Sequence, residues 1–91
     1  MSVAETIRQK LTERFAPTRL TVIDESHRHA GHTGARPEGE THFAVTITSA
    51  AFSGLSRVAR QRLVYDALKQ ELASGVHALS LTTLTSDEDR S

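Results

Sequence analysis

Cysteine and tryptophan are absent from this 91-residue sequence, and proline and aromatic residues are scarce. Without cysteine, the chain forms no disulfide framework and offers no thiolate ligand to a metal. Eleven basic and eleven acidic side chains balance to a formal charge of zero, so no overall field steers it toward nucleic acid or acidic lipid. No segment approaches the roughly 20 apolar residues of a membrane span, and Glu5, Arg8 and Lys10 interrupt any N-terminal signal peptide. We expect a cytoplasmic protein without membrane association.

The apolar pattern predicts a single small domain with the order helix, strand, strand, helix, strand. Four apolar residues at four-residue spacing mark the first helix: Val3, Ile7, Leu11 and Phe15. Ser2 and Glu5 form a capping box in front of this helix, and Pro17 ends it. The β-branched run 20–24 predicts the first strand, and the alternation that begins at Thr41 predicts the second, which pairs with it as an antiparallel hairpin.

The second half of the chain predicts a long helix and a third strand. Ser56 is a candidate N-cap for a helix over 57–73, and Gly75 follows its end. The apolar stripe of this helix is broad: Ala59, Leu63, Val64, Ala67, Leu68 and Leu72. With the third strand at 76–84, we predict an α/β (α+β) domain over residues 1–85. Its three-stranded mixed sheet carries the helices on one face.

Two segments fall outside this pattern. Residues 26–40 form a predicted loop that is longer than a hairpin needs, and loops of this length in compact domains tend to be functional. Four residues punctuate it: Gly31, Gly34, Pro37 and Gly39. The segment 86–91 contains Asp87, Glu88 and Asp89 and is predicted to be a disordered acidic tail.

Five histidines are the only borderline-soft metal ligands of this chain. Four lie in or beside the loop: His27, His29, His32 and His42. His77 stands alone at the start of the third strand, where it either caps the edge of the core or binds a metal. The loop histidines either bind zinc or nickel adventitiously or supply a partner ligand for His77. His42 heads the second strand, where a structural role is at least as consistent with its position as ligation.

Arg57, Arg60 and Arg62 begin the long helix. A solvated helix face is the default interpretation, but positive charge in a first helical turn also favours an external anionic partner such as phosphate or an acidic protein surface. The segment 56–65 weakly resembles a helix-turn-helix that binds DNA. No nucleophile motif or phosphate-binding loop indicates an enzyme.

Five segments together, in their order and approximate spacing, resemble the BolA family over nearly the whole chain: 22–29 (VIDESHRH), 39–43 (GETHF), 52–54 (FSG), 60–65 (RQRLVY) and 76–81 (VHALSL). The resemblance implies an α/β domain similar to the class II KH fold. It also implies a partnership with a monothiol glutaredoxin in iron-sulfur and iron homeostasis. Some relatives are described as DNA-binding transcriptional regulators.

The resemblance also implies a ligand set for a [2Fe-2S] cluster that bridges two proteins. The glutaredoxin and its glutathione supply two thiolates, and this chain supplies two imidazoles, as in a Rieske centre. The family's C-terminal histidine falls on His77. Its loop ligand falls on His29 by counting from Asp24, with His32 as the alternative because this loop is a few residues longer than in many relatives.

We therefore predict a non-enzymatic, metal-binding adaptor that shares a [2Fe-2S] cluster with a monothiol glutaredoxin and glutathione. It acts in cluster trafficking, cluster assembly or iron regulation, with Arg57, Arg60 and Arg62 as candidate contacts to a partner or nucleic acid. The alternative is a DNA-binding transcriptional regulator that uses residues 56–65. We expect the isolated chain to be a monomer or a weak homodimer.

Overall fold

The computed structural model describes residues 2–25, 42–76 and 78–90. Its elements, in chain order, are α1 (Val3–Phe15), β1 (Arg19–Asp24), β2 (His42–Thr48), a 3₁₀ turn (Ala50–Phe52), α2 (Arg57–Ala67), α3 (Lys69–Ser74), β3 (Ala78–Leu84) and α4 (Ser86–Arg90). The predicted order of helices and strands is confirmed as far as β3. Among the described residues, no helix is long and apolar enough to cross a membrane.

α1 begins and ends where the sequence predicts. The Glu5 backbone N–H donates to Ser2 Oγ at 3.1 Å, and the Ser2 backbone N–H donates to Glu5 Oε2 at 3.3 Å. This reciprocal capping box satisfies N–H groups that the helix itself leaves unpaired. At the other end, Ala16 adopts a left-handed conformation with φ of 45°, one residue before Pro17. The left-handed residue turns the chain out of the helix toward β1.

β2 is the central strand of a three-stranded mixed sheet with the order β1-β2-β3. β1 runs antiparallel to β2, with Asp24 opposite Phe43. β3 runs parallel to β2, with Ala78 opposite His42. A parallel pair needs a crossover connection, which α2 and α3 provide. The predicted hairpin and mixed sheet are confirmed.

The core lies between one face of the sheet and the helices α1 and α2. Phe43, Val45 and Ile47 alternate along β2, and none is more than 1% exposed. Burial of each such side chain stabilises the fold by about 1.5–3 kcal/mol. The same cluster contains residues from both helices, from β1 and from the connections: Ile7, Leu11, Phe15, Val22, Phe52, Val64, Leu68 and Val76.

The long helix of the sequence prediction is interrupted at Leu68. This residue has φ of −108° and ψ of 16°, and its backbone N–H is shared between the carbonyls of Val64 at 3.1 Å and Tyr65 at 3.2 Å. α3 follows and is held to α1 by Lys10, whose Nζ lies 2.8 Å from Glu71 Oε2. The periodicity did not reveal the break because the Leu68 side chain, 1% exposed, stays on the apolar stripe.

The prediction of a disordered tail over 86–91 is wrong, because α4 forms there. Glu88 Oε1 accepts a hydrogen bond from Arg60 Nη1 at 2.6 Å. Asp89 Oδ1 lies 3.2 Å from Arg19 Nη1. Glu88 and Asp89, which the sequence analysis placed in a disordered tail, thus attach α4 to α2 and to the start of β1.

The Glu88 carboxylate makes the attachment of α4 dependent on pH. Its hydrogen bond from Arg60 and, next, the bond from the Thr85 backbone N–H lower the pKa of Glu88 from 4.5 to about 2. Because the pKa is lower in the folded state, the stabilisation is present above pH 4.5 and is lost as the pH falls toward about 2. We predict that Glu88→Gln lowers the urea midpoint at neutral pH, and that this difference shrinks as the pH falls through that window.

Asp87→Asn is the matched control for this prediction, because Asp87 is exposed on the same short helix. We expect its midpoint at neutral pH to stay close to that of the parent protein. Equal midpoints for Glu88→Gln and the parent at neutral pH would contradict the proposed role of the carboxylate.

Thr48, at the end of β2, buries its side-chain hydroxyl. Its side chain is 0% exposed, and Oγ1 has no hydrogen-bond partner among the described residues. The neighbouring Ser49 instead donates from Oγ to the Phe15 carbonyl at 2.6 Å, which satisfies the end of α1.

We predict that Thr48→Val raises the free energy of unfolding by about 1 kcal/mol, because the change removes a buried hydroxyl without a partner. Urea unfolding measures this effect, and Thr46→Val, at a half-buried position of the same strand, is the control. A lower free energy of unfolding for Thr48→Val would show that the hydroxyl is satisfied.

Candidate metal and partner site

Glu25 and His42, the residues on either side of segment 26–41, lie at the same end of the sheet as the start of β3. The Glu25 backbone N–H donates to the His42 carbonyl at 2.8 Å, which joins the two residues on either side of segment 26–41. His42 is the register partner of Ala78, the first residue of β3. Neighbouring strands lie about 4.8 Å apart. The chain therefore leaves this segment at His42, beside the residue that follows His77, and enters it at Glu25, on the other side of His42.

The three predicted metal ligands, His29, His32 and His77, lie outside the described residues. His42 is described, and its side chain is half-buried at the first position of β2. In the part of the chain that the structure describes, no three His, Asp or Glu side chains are grouped so as to hold a metal ion. The ligand set stays a prediction.

Imidazole nitrogen is the borderline-soft donor that this chain can offer to a metal. The chain has five histidines and no cysteine. In a Rieske-type [2Fe-2S] cluster two imidazoles replace two thiolates on one iron. A chain with histidines and no cysteine could supply these two imidazole ligands. In such a cluster the thiolates would have to come from another molecule, because this chain has no cysteine.

The three arginines at the start of α2 have different environments. Arg57 and Arg62 are exposed. Arg60 is 7% exposed. Its Nε donates to the Leu55 carbonyl at 3.0 Å, and its Nη1 donates to the Thr83 carbonyl at 3.1 Å. With the Glu88 carboxylate as a third acceptor, this guanidinium connects the start of α2 to β3 and α4.

The prediction of Arg60 as a contact to a partner or to nucleic acid is therefore corrected. Its donors are used inside the domain, where they stabilise the fold. A signal for this role is present in the sequence, since Arg60 lies four residues before Val64 and eight before Leu68, on the most buried stripe of the helix. Arg57 and Arg62 remain predicted contacts.

The segment 56–65 is a helix start preceded by a tight turn. The 3₁₀ turn Ala50–Phe52 comes before it, and Gly54 has φ of 79°, which favours glycine. Ser56 caps α2 by accepting the Ala59 backbone N–H at 3.1 Å, as predicted. No acidic residue lies in the first turn of α2. This segment therefore presents the exposed cation Arg57 without a carboxylate beside it in sequence.

Comparison with known proteins identifies relatives over most of the chain. A family model described as BolA-like protein matches residues 11–88. Protein BOLA1, chloroplastic, of Arabidopsis thaliana is 44% identical over 90 residues, which cover 97% of this chain and 56% of that protein. The DNA-binding transcriptional regulator BolA of Escherichia coli K12 is 41% identical over 88 residues, which cover 97% of this chain and 80% of that protein. The chain thus spans little more than half the length of the Arabidopsis relative.

The fold agrees with these matches. The solved structure of the BolA domain of SufE1 from Arabidopsis thaliana aligns with a TM-score of 0.86 at 48% identity, over 97% of this chain and 96% of that chain. Both are therefore small α+β domains with the same arrangement of helices around the sheet. Because the family model, the sequence relatives and the solved structure agree over nearly the whole length, the chain belongs to the BolA-like protein family.

Proposed function

We propose that this protein is a non-enzymatic adaptor that binds a monothiol glutaredoxin and shares a bridging [2Fe-2S] cluster with it. The cluster would serve trafficking, assembly or iron regulation. His77 and one loop histidine, His29 or His32, would provide the imidazole ligands. The partner and its glutathione would provide the thiolates.

The register at one end of the sheet is the observation that carries this proposal. Glu25 and His42, which border the loop, are joined by a backbone hydrogen bond, and His42 pairs with Ala78. A ligand from the loop and a ligand from the residue before Ala78 would then belong to one site, although they are about fifty residues apart in sequence. When bound, the cluster would supply iron that is redox-active or transferable.

Spectroscopy of a reconstituted [2Fe-2S] monothiol glutaredoxin tests the proposal. Addition of this protein should change the visible absorption and circular dichroism and saturate at equimolar protein, because imidazoles replace thiolates at the iron. We predict that His77→Ala abolishes the change, and that either His29→Ala or His32→Ala does so too.

His27→Ala is the matched control, since it removes an imidazole from the same loop at a position outside the predicted ligand set. Far-ultraviolet circular dichroism of each variant should match the parent protein. A full spectral change with His77→Ala would refute the ligand assignment. No change with the parent protein would refute the shared cluster itself.

A second candidate function is DNA binding, which the names of relatives favour. Proteins of Escherichia coli and Vibrio cholerae at 41% and 43% identity are called DNA-binding transcriptional regulators BolA. Arg57 and Arg62 are the exposed arginines of α2 that phosphate contacts would use. Arg60 would contribute through stability alone, because its guanidinium is held by Leu55, Thr83 and Glu88.

We predict that, if DNA binding operates, Arg57→Ala and Arg62→Ala each reduce the salt dependence of affinity by about one phosphate contact. Fluorescence anisotropy with duplex DNA across a series of salt concentrations measures the slope. Arg14→Ala is the control, since Arg14 is an exposed arginine on α1 that lies 3.1 Å from Asp66. If neither Arg57→Ala nor Arg62→Ala changes the dependence of DNA affinity on salt concentration, DNA binding through α2 is excluded.

A further inference from the structure

The β1 edge of the sheet is covered by α1. The Glu25 backbone N–H donates to the His42 carbonyl. By the same alternation, the odd-numbered residues of β1 direct their backbone N–H and carbonyl groups toward β2, and the even-numbered residues direct these groups away from the sheet. The outward carbonyl of Val22 accepts a hydrogen bond from Arg8 Nη2 at 3.3 Å. A charged side chain placed over an edge strand in this way blocks pairing with another chain.

The β3 edge is open along part of its length. The Ser49 backbone N–H donates to the Leu84 carbonyl at 2.9 Å. The even-numbered residues of β3 therefore direct their backbone N–H and carbonyl groups toward β2, and the odd-numbered residues direct these groups away from the sheet. For Leu79 and Leu81, the outward N–H and carbonyl groups have no hydrogen-bond partner among the described residues. Farther along the strand, Arg60 Nη1 donates a hydrogen bond to the outward carbonyl of Thr83.

A cleft borders this open edge. It is lined by Arg57 and Gln61 from α2 and by residues 81–84 of β3. Arg57 is the charged member of the lining, and no carboxylate belongs to it. The cleft therefore combines a positive charge with backbone groups of the strand.

The adjoining face of α2 adds apolar area and a second positive charge. Val58, Arg62 and Tyr65 follow one another at spacings of four and three residues, which places them on one stripe of the helix. Val58 is 57% exposed and Tyr65 is 39% exposed. Tyrosine and arginine are the residue types that most often contribute binding energy at protein interfaces. Asp66 follows Arg62 by four residues, and its carboxylate is paired with Arg14 of α1, whose Nη2 lies 3.1 Å from Asp66 Oδ2.

We propose that the edge 79–81 of β3, with the adjoining face of α2, binds an extended acidic segment of a partner protein, which adds to the sheet as a fourth strand. An extended peptide presents alternating N–H and carbonyl groups that match those of Leu79 and Leu81. Its carboxylates complement Arg57 and Arg62.

A second copy of the chain and a nucleic acid are each less complementary to this edge than an acidic peptide. A second copy of the chain paired through β3 would bring two sets of Arg57 and Arg62 toward each other, and facing like charges are destabilising. The phosphates of a nucleic acid would satisfy the arginines, but its backbone has no N–H donors for the Leu79 and Leu81 carbonyls. An acidic peptide satisfies both features of the surface.

Hydrogen exchange measured by NMR on the isotope-labelled full chain tests the proposal. The probes are a synthetic peptide of alternating valine and glutamate and its valine-lysine counterpart. At about millimolar valine-glutamate peptide, we expect the Leu79 and Leu81 amides to exchange at least about tenfold more slowly, and the lysine peptide to have little effect. The outward amide of Val22 on the covered β1 edge should not change. Equal protection by both peptides, or none by either, would overturn the proposal.

Two arginine variants separate charge recognition from backbone pairing. Arg57→Ala and Arg62→Ala should each weaken the peptide affinity several-fold, whereas Arg19→Ala, at the start of β1, should leave it unchanged. Protection of Leu79 and Leu81 that rises with protein concentration in the absence of peptide would overturn the proposal in favour of self-pairing. Stronger protection by single-stranded DNA than by the acidic peptide would overturn it in favour of nucleic acid.

Discussion

The pairing of β2 with both of its neighbours is the constraint on which the rest of the structure depends. Phe43, Val45 and Ile47 are buried only in the observed register, since a slip of one residue would turn all three toward the open face of the sheet. The same register sets His42 beside Ala78. Core packing and the placement of the candidate site are therefore set by the same strand, and the site depends on the core.

The opposite end of the sheet depends on one buried guanidinium. Removal of a partner from a buried charge is far more destabilising than loss of an exposed ion pair, because the remaining charge lacks compensation. Arg60 avoids that cost through two backbone carbonyls and the Glu88 carboxylate. Its bonds join three segments that meet where β3 ends. α4 is thus part of the folded domain, and His42 and Ala78, which border the candidate metal site, lie at the other end of the strands.

The helices, the strands and their arrangement in a mixed sheet could be predicted, and individual side-chain pairs between distant residues could not. The capping box of Ser2 and Glu5 spans three residues, and the alternation of β2 is visible within seven. The pair Arg60 and Glu88 is separated by 28 residues, and no local spacing connects them. The break at Leu68 is also invisible, because its burial suits a continuous helix. Family resemblance, rather than spacing, selects His77 and His29 as ligands. The described residues locate the neighbours of His77 and the two ends of the segment that contains His29.

β3 connects the two proposals of partner binding. The strand starts at Ala78, directly after His77, and its open edge follows within the next three residues. A peptide added along that edge would pair with the strand next to Ala78, so binding at the edge and binding of iron by His77 would be energetically coupled through this strand. Thermodynamic coupling is reciprocal, so a shared cluster would change the affinity of the edge for the peptide by the same factor as the peptide changes the affinity for the cluster. The two surfaces would then act as coupled parts of one interface.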